Sequence, residues 1–535
     1  MINKKLSTRH LALLYCCYFL LGFALLSLEV IWGRLTALTL GSSIQAYSIT
    51  LAAVMAGLFL GTFHGNRASA HADIKRLFAY MIGFTLLAGV ASISFVYLSE
   101  FFKVWRFSLP FSAKGAYYVT LFQVSAQVFL PAFFAGAVFP IATQILVPDV
   151  EHAGRTAGFL YMVNSMGAIS GCLLTGFVLI EYLGLKSSAI LCSALPAIPA
   201  LLFFLLFRPL AQGMALLFLV TGLAVGGVFA SYPQFPFTVY LSSRHTSIEG
   251  VDESRKGYET IGKYENSHGF VRVIQSPTVR FLQVNNKNES SFMGLDLPTQ
   301  ALLALLPRVY LQRNPKHLLD IGLGTGTTVW FAQKWAGQID SVEINPDVHA
   351  AVTRFFFPEF ERASNIDFIF QEARFYLANN DKKYDIITVE PSYPTDAITA
   401  SLYTRESFQI YKQALVQDGI LSMFIPLHVL GIKHAEGVIK TMLTKFDHVQ
   451  IWTIDKGADL VVIAGKKPLN LSPEEVVSRI SEFKLSSGQD LGAALTYADR
   501  NAVLDLIKQS PDIPLYTDDT ITLELAAIDG FLHKH

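Results

Sequence analysis

Cysteine is scarce. The 535 residues hold four, Cys16, Cys17, Cys172 and Cys192, all within apolar runs. That leaves no disulfide framework and no thiolate metal site. His245, His268, His428 and His434 show no ligand spacing with other His, Cys or acidic residues, so no metal is expected. Charge is also thin, 16% against 52% hydrophobic, too little for an ordinary water-soluble enzyme of this length. Lysine and arginine balance aspartate and glutamate, 42 to 42, so no basic stripe awaits nucleic acid. The balance conceals a split: residues 1–231 carry 13 basic against 6 acidic side chains, leaving 29 against 36 for 232–535. The chain changes solvent near residue 232.

What is abundant in the first part is the apolar run. Stretches near 11–32, 44–63, 77–98, 117–146, 156–180, 187–207 and 210–231 each approach the ~20 residues that span a bilayer at about 1.5 Å per residue. The first is too long, and too closely followed by others, for a cleaved signal peptide. Residues 1–231 are therefore expected to form an α-helical multi-span membrane domain of about seven helices, with the lipid bilayer as a partner. Gly57-x-x-x-Gly61 and Gly167-x-x-x-Gly171 fit close helix approach, and Pro131, Gly136 and Pro140 are expected to bend the fourth span without breaking it. Glu29 has two readings, an interfacial or packing partner such as of Arg34, or an intramembrane functional group. Gln127 and Asn164 read as interhelix hydrogen-bonders. A mild excess of basic residues on the N-terminal side of the membrane, with an odd span number, points the soluble half outward. The ligand inferred below is cytoplasmic and is given more weight.

Residues 232–257 read as a connector. Gly269–Gln275 and Val279–Asn285 alternate like a small β-hairpin around Ser276-Pro277-Thr278. From His317 onward, strand-like runs alternate with helical ones, the rhythm of a mostly parallel, doubly wound α/β sheet whose ligands lie beyond the strand carboxyl ends. The first of these strands runs into Gly322-Leu323-Gly324-Thr325-Gly326. This turn lacks both the Gly-x-Gly-x-x-Gly spacing and a Walker lysine, so no pyrophosphate cradle is implied. Asp320, just before it, suits a cationic amine. Glu343 closes the next strand, where a carboxylate takes ribose hydroxyls in nucleotide-binding α/β folds. Together they suggest a nucleoside bearing a positive group, with Glu372-Ala373 after the third strand beside its purine. Residues 472–535 read as a helical cap, and Thr517-Asp518-Asp519 as a helix or turn cap that can also return to the site.

Tyr264-Glu265, Leu319–Gly326, Val342–Asn345, Tyr384–Glu390, Leu402-Tyr403, Glu406-x-Phe408 and Gly419–Leu421 together resemble the spermidine synthase (polyamine aminopropyltransferase) pattern. The whole chain is similar to a membrane-fused subfamily with N-terminal transmembrane spans, where the first span often carries Glu, Trp and Arg as do Glu29, Trp32 and Arg34. The resemblance implies a Rossmann-like S-adenosylmethionine-type domain over 258–535. It implies transfer of an aminopropyl group from decarboxylated S-adenosylmethionine to an amine such as putrescine. Glu390 would handle the proton, since an amine with a pKa of about 10.4 must lose one before it can attack. The donor would lie on Gly322, Gly324, Gly326 and Glu343, with Glu372 and Ala373 near adenine, and Tyr264 and Glu265 near the acceptor.

The sequence departs from the family at Thr325, where an acid usually holds the donor's amine, at Glu390 for Asp, and at Glu265 for Gln. The family's second amine-binding acid falls on Ser392 or Tyr393, with Asp396 as a substitute out of register and Tyr393–Asp396 as a loop over the site. Threonine at 325 would admit the carboxylate of intact S-adenosylmethionine, which keeps a methyltransferase or other alkyl transferase open. A third reading is a non-catalytic transporter or sensor that binds nucleoside or polyamine. The expected partners are a small-molecule amine, the bilayer and a second copy of the chain as a homodimer. The expected place is the inner (cytoplasmic) membrane, multi-pass, with the soluble domain on the cytoplasmic side.

Overall fold

The computed structural model describes residues 8–40, 44–107, 113–147, 151–198, 200–202, 257, 259–285, 287–292, 296–391, 393–394, 397–454, 459–483, 485, 490–498, 503, 507, 512–520 and 523. The chain divides into two compact units, Met1–Ile248 and Glu249–His535.

In the first unit the apolar runs form long helices: α1 (Thr8–Leu40), α2 (Ile44–Ser69), α3 (Ile74–Phe107) and α4 (Ala113–Leu146). Then α5 (Ala153–Leu174) passes through a π-helical turn, Thr175–Leu179, into α6 (Ile180–Ala194). Five helices are long and apolar enough to cross a membrane among the described residues, and the fifth is the 42-residue run Ala153–Ala194. Within that run the helix breaks at Gly184, whose φ of 76° leaves the helical region, between the expected fifth span and the start of the expected sixth. The seventh expected span, 210–231, lies outside the described residues. The fourth is continuous through Pro131 and Pro140.

Glycine sets the approach of these helices. A β-carbon on Gly57 would lie 2.6 Å from the Phe129 carbonyl oxygen of α4, and one on Gly136 would lie 2.6 Å from that of Leu58 on α2. Gly61 and Gly65 meet α4 backbone closer still, as Gly167 and Gly171 meet Phe19 and Phe23 of α1. Gln127 forms no interhelix bond: it is buried, and neither amide atom has a partner. Asn164 lies with its carbonyl and side-chain oxygens against Gly22.

The second unit opens with a four-stranded antiparallel sheet, β1 (Glu259–Asn266), β2 (Gly269–Gln275), β3 (Arg280–Val284) and β4 (Lys287–Phe292), larger than the expected hairpin. Helix α7 (Leu297–Leu311) leads to β5 (His317–Ile321), α8 (Thr327–Ala332), β6 (Gln338–Glu343), α9 (Pro346–Phe355), β7 (Ile366–Phe370), α10 (Ala373–Ala378) and β8 (Tyr384–Val389). There follow α11 (Ala397–Ser401), α12 (Arg405–Ala414), β9 (Leu415–Ile425), α13 (Leu427–Leu443), β10 (His448–Ile454), β11 (Asp459–Gly465), α14 (Pro473–Ser481) and β12 (Leu495–Ala498).

The eight-stranded sheet has the order β12-β10-β11-β9-β8-β5-β6-β7. Strands β5 to β9 run parallel, and β10 to β12 add antiparallel pairs at one edge. The expected helical cap therefore contributes a strand, β12, as well as α14. Strands β5 and β8 are almost wholly buried runs of Leu, Ile and Val, as a sheet covered on both faces requires. After β5 the chain winds toward β7, and β8 returns on the other side, so the switch point lies at the carboxyl ends of β5 and β8.

Candidate active site

The switch point is occupied by the glycine turn. Gly322, Gly324 and Gly326 have φ of 89°, 53° and 81°, a region costly to any residue with a β-carbon. At Gly322 the packing agrees, because a β-carbon there would lie 2.6 Å from the Glu390 carbonyl oxygen. The N–H groups of Gly322, Leu323, Thr325 and Gly326 donate to Val342 O, Glu343, Ser290 Oγ and Leu323 O. A turn whose amides are committed in this way is not an anion cradle, and what surrounds it is acidic.

Asp320, at the end of β5, is buried and accepts hydrogen bonds from Thr388 Oγ1 at 2.9 Å and Ser341 Oγ at 3.0 Å. Burial pushes its carboxyl up to about 7 against those two bonds, and the charge of Glu343 adds to the rise. Glu343, ending β6, accepts from Leu323 N at 3.2 Å and Asn345 N at 2.9 Å, which fixes its orientation. Burial raises its carboxyl too, opposed by these backbone donors. Asn345 caps α9 and accepts from Asn266 of β1 at 2.8 Å, tying the small sheet to this corner. Its own Nδ2 is buried without a partner, two residues from Glu343.

Glu390 directly follows β8, its N–H bonded to Ile321 O at 3.0 Å. Its Oε2 accepts from Thr328 Oγ1 of α8 at 2.8 Å. Burial drives this carboxyl to about 8, with Thr328 and Gln300 bonds pulling it back and the charges of Asp320 and Asp296 pushing it further. A carboxyl raised to about 8 is mostly protonated at neutral pH, and a cation bound beside it would favour its ionised form, the one that can accept a proton.

Other expected residues fall differently. Thr325 is fully buried, its Oγ1 bonded to Gln300 Oε1 at 3.3 Å and to Thr327 Oγ1 at 2.9 Å. Glu372 is first of all the N-cap of α10, its carboxylate accepting from Arg374 N at 3.0 Å and Phe375 N at 2.7 Å, and Ala373 is buried behind it. Tyr264 reaches the Ala350 carbonyl of α9 at 3.5 Å and packs on the core beneath, and Glu265 pairs with Phe270 in the β1–β2 register. Tyr393 meets His428 at 3.3 Å. Asp396 and Ser392 lie outside the described residues. Asp518, of the terminal acidic segment, bonds Arg374 and Thr404 rather than the glycine turn. Among the described residues no group of His, Cys and acids could hold a metal.

Sequence reading missed Thr328, Gln300, Ser341, Thr388 and Asn345. Thr328 alone had a signal, a hydroxyl in the first turn of the helix that the glycine turn launches.

Residues 299–455 match the spermine/spermidine synthase domain. The chain is 27% identical over 230 residues to a polyamine aminopropyltransferase of Chromobacterium violaceum, covering 42% of this chain and 86% of that one. A polyamine aminopropyltransferase of Oceanobacillus iheyensis is 20% identical over 437 residues, 79% of this chain and 78% of that protein. That match exceeds the length of the second unit and so runs into the helical one. A spermidine synthase structure from Thermotoga maritima aligns with 19% identity and a TM-score of 0.39, over 47% of this chain and 88% of that one. Residues 299–455 thus carry the similarity to the spermine/spermidine synthase domain, and long apolar helices precede them in the chain.

Proposed function

We propose that the second unit transfers an aminopropyl group from decarboxylated S-adenosylmethionine to an amine, and that the first unit anchors it in the cytoplasmic membrane. The observation that carries the transfer is Glu390, an acid raised to about 8 at the switch point, beside the glycine turn and Asp320. In this reading Glu343 takes the ribose hydroxyls and Asp320 meets the donor's ammonium. The amine nitrogen attacks the propyl carbon next to sulfur. A C–N bond forms, the C–S bond breaks, and its electron pair stays on sulfur, leaving neutral methylthioadenosine. The proton shed by the amine passes to Glu390 and then to solvent.

The membrane assignment is supported by stripes such as Met55, Phe59 and Phe63 on α2, exposed by 50%, 70% and 60% at helical spacing, a face suited to lipid. Methyl transfer drew on Thr325, but a threonine buried in a hydroxyl cluster gives intact S-adenosylmethionine no particular welcome. Titration calorimetry of the full-length protein with both forms of the donor tests the reading. Tenfold tighter binding of the decarboxylated form, about 1.4 kcal/mol, is expected, and tighter binding of the intact form refutes it.

A further inference from the structure

A second polar constellation lies beside Glu390, and the transfer step leaves it unused. Asp459 opens β11, and its Oδ1 lies 2.9 Å from His428 Nδ1 at the start of α13. His428 Nε2 lies 3.3 Å from the hydroxyl of Tyr393, three residues after Glu390, and the two rings meet edge to face at 5.4 Å. The pattern fits the tautomer in which Nδ1–H donates to Asp459 and Tyr393 donates to Nε2. On its other oxygen Asp459 accepts from Thr299 Oγ1 at 3.4 Å.

Thr299 and Gln300 are neighbours in the first turn of α7, and Gln300 is bonded to Glu390 as well as to Thr325. Tyr393, His428, Asp459 and Thr299 thus form a bonded chain whose two ends, in sequence, adjoin Glu390 and its partner Gln300. Asp459 keeps 16% of its side chain open and His428 40%, so the pair lines accessible space and is not sealed in the core. Asp296, at the N-cap position of α7, feels the charges of Asp459, His428 and Glu390.

An acceptor whose reacting nitrogen is deprotonated at Glu390 still presents any second amine as an ammonium ion, which needs an anion of its own. The segment after Glu390 offers Tyr393 and no described acid. We propose that Asp459, oriented by His428 and Thr299, binds the non-reacting ammonium of the acceptor and so sets the preference for amines with two cationic ends. This assignment rests on the aminopropyl-transfer reading. Asp459 touches substrate, and His428 is a positioning residue that holds its carboxylate.

The test compares two acceptors of equal carbon length, 1,4-diaminobutane and butylamine, with decarboxylated S-adenosylmethionine and the full-length protein. Asp459→Asn should lower kcat/KM for the diamine at least about tenfold, the worth of one charge-assisted hydrogen bond. It should leave butylamine turnover and methylthioadenosine affinity unchanged, and both double as checks on folding. His428→Ala should raise KM for the diamine while sparing kcat, and it carries the test alone if the first variant does not fold. Equal losses for both amines, or none for either, overturn the assignment while leaving the transfer reading intact. Wild-type protein that transfers to neither amine overturns both.

Discussion

The two units bury polar groups in opposite ways. In the α/β unit, buried or half-buried carboxyls sit at or near the ends of strands, and each is held: Asp320 by Thr388 and Ser341, Asp340 by Tyr376, Tyr384 and Lys382, Glu390 by Thr328. In the helical unit the buried polar atoms are neutral, and Thr36, Gln127 and Ser193 have side-chain atoms with no partner. An orphaned hydroxyl or amide costs a few kcal/mol, whereas an orphaned charge costs far more. The first unit can therefore leave such atoms unpaired, since it is held by backbone-to-backbone contact at glycine. The second also leaves neutral atoms such as Asn345 Nδ2 unpaired, but it bonds each of these carboxyls.

The contrast breaks most visibly at Glu390. Glu390→Gln should reduce turnover about 10²- to 10⁴-fold, the usual worth of a general base, with donor affinity kept; unchanged turnover would make the site a binding module only. The wild-type pH profile sharpens the same point. The base works when deprotonated, and its carboxyl is raised from its ordinary 4.5 to about 8. Hence kcat/KM should fall by about tenfold per pH unit below about 8, and an acid limb near 4.5 would contradict the burial argument. Stability has the opposite sign. The folded state holds this proton more tightly than the unfolded chain, so the contribution is present below 4.5 and lost as pH rises through about 8. Melting curves of Glu390→Gln should show a weaker decline over that window.

In the helical unit, Gly61→Leu forces a side chain onto the Phe133 backbone of α4. It should destabilise by roughly 1–3 kcal/mol or more, as overpacking does, read as earlier thermal unfolding in detergent; an unchanged melt would dispose of the close-approach argument. The smallest effect carries the opposite sign. Gln127→Leu removes two unpartnered atoms and should stabilise by up to about 1–3 kcal/mol, the penalty such groups carry. A loss of stability instead would mean that Gln127 has a partner.

Much of this was legible in the sequence. Buried strands followed by sharp turns announce themselves, so Asp320, the glycine turn and Glu343 stand out by position, whereas Glu390 is reached through the family resemblance. Glu372 was legible only as an acid near a strand end, and its two backbone bonds make it a helix cap. Thr328 and Glu390 are 62 residues apart, and Thr299 and Asp459 160. No local pattern brings such pairs together; the winding of the sheet does. The break between the expected fifth and sixth spans has a local cause, since Gly184, flanked by Glu181 and Lys186, takes a non-helical conformation.

The turn at Asp518–Thr520 has a temporal consequence. Asp518 bonds Arg374 at the start of α10 and Thr404 before α12, Tyr516 bonds His434 and Arg405 N–H, and Lys440 bonds Ile513 O. Helix α10 and the residue that caps α12 are thus fastened by a residue 144 and 114 positions further along the chain. Synthesis runs from the N-terminus and domains form in that order, so the helical unit can be in place while the catalytic half is still incomplete. A chain that stopped before Ile513 would carry its helical unit with these helices unlatched.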